Sequence, residues 1–368
     1  MSYIVSARKY RPQTFEDVVG QEQITNTLKR AIESDHLAQA FLFCGPRGVG
    51  KTTCARILAK AVNTGQTEKL GEIDEDFSFN IFELDAASNN KVDDMHQLIA
   101  QVRIPPQTGK YKIYIIDEVH MLSQAAFNAF LKTLEEPPAY AIFILATTEK
   151  HKILPTILSR CQIYDFRRIS VNSIVAHLKN IAQQENITVE DDALHIVAEK
   201  ADGALRDALS IFDRLVSFAG DNLTYDAAVS ALNVLDYDYF FRLTEMLTTQ
   251  DISSAYLLFD EVLNKGFEAN HFVQGFSEHL RNLLVCKDKK TLSLLEVSEA
   301  LKSRYEEQAD ITPLVFIVNA LNLASDCDVN YAASQNKRLL VELMLMKIAY
   351  LQQALKGENL SVKKKSLV

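Results

Sequence analysis

The residues best suited to chemistry stand together at Gly45-Pro46-Arg47-Gly48-Val49-Gly50-Lys51-Thr52, which fits G-x-x-x-x-G-K-[ST]. The motif lies directly behind the β-rich run Phe41 to Cys44 and opens a helical run from Thr52 to Val62. Glycines let main-chain N–H groups turn inward around a phosphate, and the helix N-terminus adds its dipole. Lys51 brings a cation to the outer phosphates, and Thr52 offers a hydroxyl to Mg²⁺. A second element follows, in which the apolar run Tyr111 to Ile116 leads into Asp117-Glu118. Asp117 can hold the metal shell, often through water, and Glu118 can orient and activate a water; two solvated turn acids are the plainer alternative. Together these residues suit transfer of a nucleotide's phosphoryl group to water.

Such residues need a sheet to hold them. From Ala40 to Phe166, β-rich runs at Phe41 to Cys44, Ile81 to Asp85, Lys112 to Asp117, Ile142 to Thr147 and Gln162 to Phe166 alternate with helical patterns. That rhythm predicts an α/β domain, and the nearly unbroken apolar character of the strands predicts a parallel sheet covered on both faces. Phe127, Phe130, Leu131 and Leu134 recur at helical spacing before Pro137 and Pro138, so a helix there should lie against the sheet. After Ser170 the strand signals fade. Helical periodicity over 171–185, 190–201, 205–218 and 224–233 predicts a small helical domain. From about Asp236 further amphipathic helices follow, one carrying Val341, Met344, Leu345, Ile348, Leu351 and Leu355 on a single stripe. The fold class expected is thus α/β followed by all-α, divided as 1–169, 170–235 and 236–358, with 359–368 a tail or linker.

Composition limits the alternatives. With 368 residues, 48% hydrophobic, 24% charged, 12 Gly and 8 Pro, the chain is neither collagen-like nor disordered. Its longest apolar stretch, Ala139 to Ala146, falls well short of the roughly 20 residues that cross a bilayer, and no apolar segment of signal-peptide length precedes Arg8, Lys9 and Arg11. No membrane association and a cytoplasmic location are expected. The cysteines, Cys44, Cys54, Cys161, Cys286 and Cys327, have no metal-ligand or redox spacing and read as reduced, buried thiols. A net charge of −9 argues against a chain that coats nucleic acid by itself, though a local basic face remains open.

Several further segments carry a family resemblance. The phosphate loop, Asp117-Glu118-Val119-His120, Ala146-Thr147-Thr148, Ser159-Arg160-Cys161 and Gly203-Ala204-Leu205-Arg206-Asp207 together resemble AAA+ ATPases of the clamp-loader group. Tyr10-Arg11-Pro12, Phe15, Val18-Val19-Gly20-Gln21, Glu83 to Ser88 and Leu134 to Pro138 narrow the resemblance to motor subunits of the bacterial replicative clamp loader. Specific motifs cover roughly residues 5–210, and beyond them only the helical character agrees.

The resemblance implies an AAA+ domain, a helical lid and a helical collar, with ATP and Mg²⁺ as ligands. Ala7, Tyr10, Arg11, Pro12, Val18 and Val19 would line adenine and ribose, Gly45 through Thr53 the phosphates, and Thr52 with Asp117 the metal. Thr147 would sense the γ-phosphate from a strand beside Asp117, unless it is simply a buried sheet threonine. Arg206 would clamp phosphate from the lid, unless it pairs with Asp207 or Asp202. Arg160 would complete a neighbouring subunit's site in trans, unless it pairs with Asp165 or Glu149, and it joins Lys51, Asp117, Glu118, Thr147 and Arg206 as a catalytic candidate.

Partners implied are copies of this chain and other loader subunits, the sliding clamp, primer-template DNA bound without sequence preference, and, for a longer product, the replicative polymerase and helicase. The enzyme expected is an ATPase within a polymerase assembly, not its polymerising subunit. Arg103, Lys110 and Lys132 are candidate DNA contacts only because they are basic, and Lys363, Lys364 and Lys365 add a further possibility in the tail.

One departure stands out. Relatives carry a four-cysteine zinc module before the strand at Ile81, whereas residues 63–80 hold no cysteine and instead carry Glu68, Glu72, Asp74, Glu75 and Asp76, so no zinc is expected. Two other readings share the core. A branch-migration helicase should carry a winged helix where 236–355 shows helices without a basic hairpin. A structural loader subunit that does not hydrolyse ATP should not need intact Lys51, Asp117 and Glu118.

Overall fold

The structure is a computed structural model and describes residues 5–351 apart from 35, 65–79, 108, 221, 233–234 and 296. Leu355, the lysines at 363–365 and the acidic residues at 68–76 lie outside the described residues. The chain divides into two compact units, Met1–Val189 with Leu194–Leu223, and Glu190–Ala193 with Thr224–Val368.

In the first unit, short α1 (Ser6–Lys9) and α2 (Glu22–Glu33) precede β1 (Ala40–Cys44), α3 (Lys51–Thr64), β2 (Ile81–Asp85), α4 (Val92–Val102), β3 (Lys112–Asp117), α5 (Gln124–Glu135), β4 (Ala141–Thr147), α6 (Pro155–Leu158) and β5 (Gln162–Asp165). The strands form one sheet in the order β2-β3-β4-β1-β5, every pair parallel, as the apolar strands predict. Their alternation sorts the core into two faces. Phe41, Phe43, Ile113, Ile115, Ile142 and Ile144 pack with Cys54, Ile57 and Leu58 of α3. Leu42, Tyr114, Ile116, Phe143 and Leu145 pack with Met95 and Leu98 of α4 and with Phe127, Phe130 and Leu134 of α5. The expected helix before Pro137 thus lies against the sheet, begun by the Ser123 hydroxyl, which accepts from Ala126 N–H at 3.2 Å.

Parallel strands bring all their C-terminal ends to one edge of the sheet, and the register puts Cys44 opposite Thr147 and Asp165, and Asp85 opposite Asp117. The phosphate loop therefore leaves a central strand with the Asp117 strand two places away.

Three helices follow: α7 (Val171–Gln184), α8 (Asp191–Lys200) and α9 (Leu205–Ala219). Helices α7 and α9 pack on each other, and Ile174, Leu178 and Ile181 of the one and Ala208, Leu209 and Phe212 of the other are buried. In the second unit, α10 (Tyr225–Leu232), α11 (Tyr237–Thr248), α12 (Ile252–Asn264), α13 (Ala269–Cys286), α14 (Glu299–Ile311), α15 (Leu314–Tyr331) and α16 (Lys337–Ala349) form an all-helical bundle. Its core takes in Phe259, Phe272, Phe276 and Phe316, all essentially inaccessible. The stripe expected on the last helix, Val341, Met344, Leu345 and Ile348, belongs to this core, while Leu339, Leu343 and Met346 on another face of α16 are exposed. Among the described residues no helix is long and apolar enough to cross a membrane.

Candidate active site

The loop between β1 and α3 requires glycine. Gly45 has φ +146°, and a Cβ there would stand 2.4 Å from the main-chain oxygen of Phe166. Gly48 has φ +76°, and its Cβ would stand 2.9 Å from that of Ala204. Close approach of the loop to residues 204–206 is built into the fold: Arg206 N–H donates to Gly48 O at 3.4 Å. Lys51, the first residue of α3, is buried, and its Nζ donates to Gly45 O at 2.8 Å and Pro46 O at 2.7 Å, which leaves a third N–H for a phosphate. Burial pushes the Lys51 ammonium below the ordinary lysine value, against the opposing pull of Glu118 and Asp117.

Thr52 Oγ1 donates to Asp117 Oδ2 at 2.7 Å, so the expected metal-binding pair is together, and Asp117 Oδ1 accepts from Glu118 N–H at 2.9 Å. A carboxylate and a hydroxyl beside a phosphate cradle are the hard oxygen donors that Mg²⁺ takes, so these residues fit the ion. Glu118 itself sits in the left-handed region at φ 47°, a conformation costing on the order of 1–2 kcal/mol for a residue with a Cβ. That turn swings its carboxylate across to β4: Oε2 accepts from Thr148 Oγ1 at 3.1 Å and Thr148 N–H at 3.3 Å.

These groups line a cleft of about 380 Å³. Arg47, Gly48, Val49, Gly50, Lys51, Thr52 and Thr53 contribute from the loop and α3, and Asp117 and Glu118 from the end of β3. Ala7, Tyr10, Arg11, Pro12, Val18 and Val19 form the wall expected to face a base and ribose, and Arg206 enters from α9. The N-terminal wall is anchored within this unit: Ser6 N–H donates to Asp213 at 2.7 Å, while Lys9 and Tyr10 both bond Glu185. Gly45 and Pro46 do not line the cleft; their carbonyls hold Lys51 instead.

Two expected residues stand elsewhere. Thr147 closes β4 fully buried, its Oγ1 3.1 Å from His120 Nδ1 and accepting from Glu149 N–H at 3.0 Å; the hydroxyl that reaches Glu118 is that of Thr148. Arg160 does not line the cleft, and its ion-pair partner is Glu135 at 2.6 Å rather than Asp165 or Glu149. Arg206 pairs with neither Asp207 nor Asp202; Asp202 pairs with Arg168.

Sequence reasoning missed Ile169, Leu205 and Leu209, which give the cleft an apolar side, and Arg56 with Glu83, which pair at its rim. It also missed His120, buried between Glu118 and Glu149, at 3.4 Å from Glu118 Oε2 and 3.3 Å from Glu149 Oε1. The presence of His120 two residues after Glu118, on the turn Val119–Met121 that follows the acids, is the signal that points to it.

The fold and the cleft define the class: a P-loop ATPase domain of the AAA+ type with a helical lid. Residues 20–170 match the family described as DNA polymerase III, delta subunit, residues 173–221 match the DNA polymerase III clamp loader subunit, ATPase lid domain, and residues 223–363 match DNA polymerase III subunits gamma and tau domain III. The chain belongs to the family of DNA polymerase III gamma and tau subunits. It is 41% identical over 300 residues to the gamma subunit of Buchnera aphidicola subsp. Baizongia pistaciae, covering 78% of this chain and 80% of that one. It is 39% identical over 357 residues to the tau subunit of Bacillus subtilis, covering 95% of this chain and 63% of that one. With the tau subunit of Escherichia coli K12 the identity is 43% over 278 residues, covering 73% of this chain and 43% of that one. The chain thus spans less than two thirds of both tau relatives.

Proposed function

We propose that this chain is an ATP-driven clamp-loader motor subunit of the replicative DNA polymerase III assembly, an ATPase and not its polymerising subunit. The observation that carries this reading is the junction of three elements at one cleft: Lys51 and Thr52 from the start of α3 behind the loop, Asp117 2.7 Å from Thr52, and Arg206 from the lid helix. Lys51 would bind the outer phosphates, and Arg206 would contact them only when α9 sits on the loop. Mg²⁺, held by Thr52 and Asp117, would neutralise phosphate charge. Glu118 would take the proton from the attacking water, and Arg160 would act on a neighbouring subunit's site. Thr147 would sense the γ-phosphate from the end of β4, beside Thr148, whose hydroxyl touches Glu118.

Contacts that depend on the γ-phosphate give ATP a preference for the closed arrangement, and its removal ends that preference. This is the physical basis proposed for gripping and then releasing a sliding clamp and primer-template DNA. Three domains, 1–169, 170–235 and 236–358, with a tail at 359–368, are proposed for the chain, the third a collar joining loader subunits. The exposed Leu339, Leu343 and Met346 of α16, with Ile311 at the end of α14 and Leu314 and Val315 at the start of α15, are apolar side chains that such a role could cover. Arg103, Lys110 and Lys132, all exposed, remain candidates for sequence-independent phosphate contacts. The ligands proposed are ATP and Mg²⁺ without zinc, and the location cytoplasmic without membrane contact. A longer product would add contacts to polymerase and helicase.

The test is steady-state ATPase of the purified chain, titrated in protein concentration, with and without primed DNA and sliding clamp. Turnover per subunit should rise with concentration and with both additions. Turnover indifferent to all three would overturn the clamp-loader reading and leave a generic ATPase.

A further inference from the structure

Arg160 lies two residues before β5 begins, on a short segment after α6, and its guanidinium is half-buried against its own subunit. Three of its five N–H groups are taken. Nη1 donates to Thr156 O at 2.6 Å and to Ser159 Oγ at 3.2 Å, and Nη2 donates to Glu135 Oε1 at 2.6 Å. Ser159 Oγ in turn donates to Thr156 O at 3.1 Å, so the first two acceptors are tied to each other on α6. What remains is the Nε–H and one N–H on Nη2, two charged donors left for oxygens of a phosphoryl group.

Glu135 is the last residue of α5, a helix whose start follows the Glu118 turn and whose Phe127, Phe130 and Leu134 are locked into the sheet core. The helix end that carries Glu135 is therefore fixed, and its exposed carboxylate gives the longer Arg160 side chain an anchor on that end. An exposed ion pair of this kind contributes little to stability, and a carboxylate gains no function from sitting at the end of a helix, where the dipole favours cations. We propose that Glu135 is a positioning residue for the trans-acting arginine: it holds Arg160 in the rotamer that presents its two remaining N–H groups to the neighbouring subunit's phosphates. This rests on the reading of Arg160 as an arginine finger.

The experiment separates the two. In reconstituted assemblies, a subunit carrying Lys51→Ala supplies a finger but no nucleotide site, and a subunit carrying Arg160→Ala supplies a site but no finger. Their mixture turns over only where the first completes the second. Placing Glu135→Gln in the first subunit should lower kcat of the mixture about tenfold, a fraction of the 10³ to 10⁵ that a finger contributes, with KM for ATP unchanged. Glu135→Asp should restore part of it, and Glu135→Gln added to the Arg160→Ala subunit should cost nothing beyond Arg160→Ala. Retention of ADP with aluminium fluoride, read by gel filtration, should fall in parallel, a readout independent of turnover. If Glu135→Gln leaves kcat and retention intact while Arg160→Ala in the first subunit abolishes both, Glu135 is only a surface partner. If Arg160→Ala itself loses nothing, the finger reading fails, and this inference with it.

Discussion

Substituting alanine at Gly48 tests the link between phosphate loop and lid helix. Two costs act there. The residue holds φ +76°, where a Cβ costs about 1–2 kcal/mol. The new methyl would also stand 2.9 Å from Ala204 Cβ, well inside the usual carbon–carbon separation, with Ala204 Cα and Arg206 Cβ both at 3.5 Å. Relief requires residues 204–206 to back away from the loop, and overpacking of this kind costs about 1–3 kcal/mol. The sum is about 2–5 kcal/mol.

That sum can be split. In an Ala204→Gly background the close contact disappears but the φ penalty stays, so a double-mutant cycle between Gly48→Ala and Ala204→Gly should give a coupling of about 1–3 kcal/mol. The chain has no tryptophan, so the assay is thermal unfolding followed by circular dichroism, with nucleotide affinity measured alongside. Gly48→Ala alone should lower the first unit's Tm by about 2–4 °C per kcal/mol and weaken ATP binding, because the backing-off carries Arg206 out of the cleft. Additivity of the two substitutions within about 0.5 kcal/mol would refute the contact. An unchanged Tm for Gly48→Ala would refute both terms.

Two further perturbations probe the rest. His120→Ala removes the side chain that bridges Glu118, Thr147 and Glu149, so kcat should fall about tenfold, within the range of a general base losing its orientation, while ATP affinity measured by calorimetry stays within twofold; an unchanged kcat would remove His120 from the catalytic geometry. In the second unit, His279 is buried against Tyr305, 3.2 Å away, and Gln308, 2.9 Å away, and burial pushes its imidazole down to about 3. The folded state keeps it neutral while the unfolded chain takes a proton below about pH 6.5, so stability should fall as pH drops from about 6.5 toward 3, by at most about 1.4 kcal/mol per unit. His279→Gln should flatten that slope in urea unfolding, and an identical slope would assign the acid sensitivity elsewhere.

Much of the site was legible in the sequence because its parts are local. A glycine loop between an apolar strand and a helix, and two acids ending another strand, each need only a few consecutive residues to be recognised. Choices that depend on where a strand ends, or on what lies across space, were not. Thr147 and Thr148 are neighbours with opposite fates: the first is still in the pleat and points into the interior, and the second has left the strand, freeing its hydroxyl for Glu118. Arg160 had two acids nearby in sequence, Glu149 and Asp165, yet Lys152 and Lys150 respectively take them, and the partner comes from the end of a helix 25 residues earlier. Ile169 and Leu209 carried no signal, and Leu205 entered only within the segment around Arg206, since an apolar residue in sequence looks the same whether it fills a core or walls a ligand cleft. On α16 two apolar stripes share one helix; periodicity picks out Val341, Met344, Leu345 and Ile348, and only the packing tells which stripe stays exposed.

Sheet polarity bears on the one role that a single chain cannot perform. In a parallel sheet every strand leaves its C-terminal end at the same edge, and the loop after Cys44 and the acids closing β3 all sit there. Arg160 precedes β5, whose last residue, Asp165, is the one level with Cys44. Between the arginine and that edge run the residues of β5 at about 3.3 Å each, a span longer than its side chain covers. Glu135 lies toward the same far edge, because α5 must return along the sheet before β4 can begin in parallel with β3. An arginine held there cannot serve the phosphates bound by its own loop. If it contacts a phosphoryl group at all, that group belongs to another subunit, so hydrolysis by this chain should require a neighbour to supply the finger even when Lys51, Asp117 and Glu118 are intact.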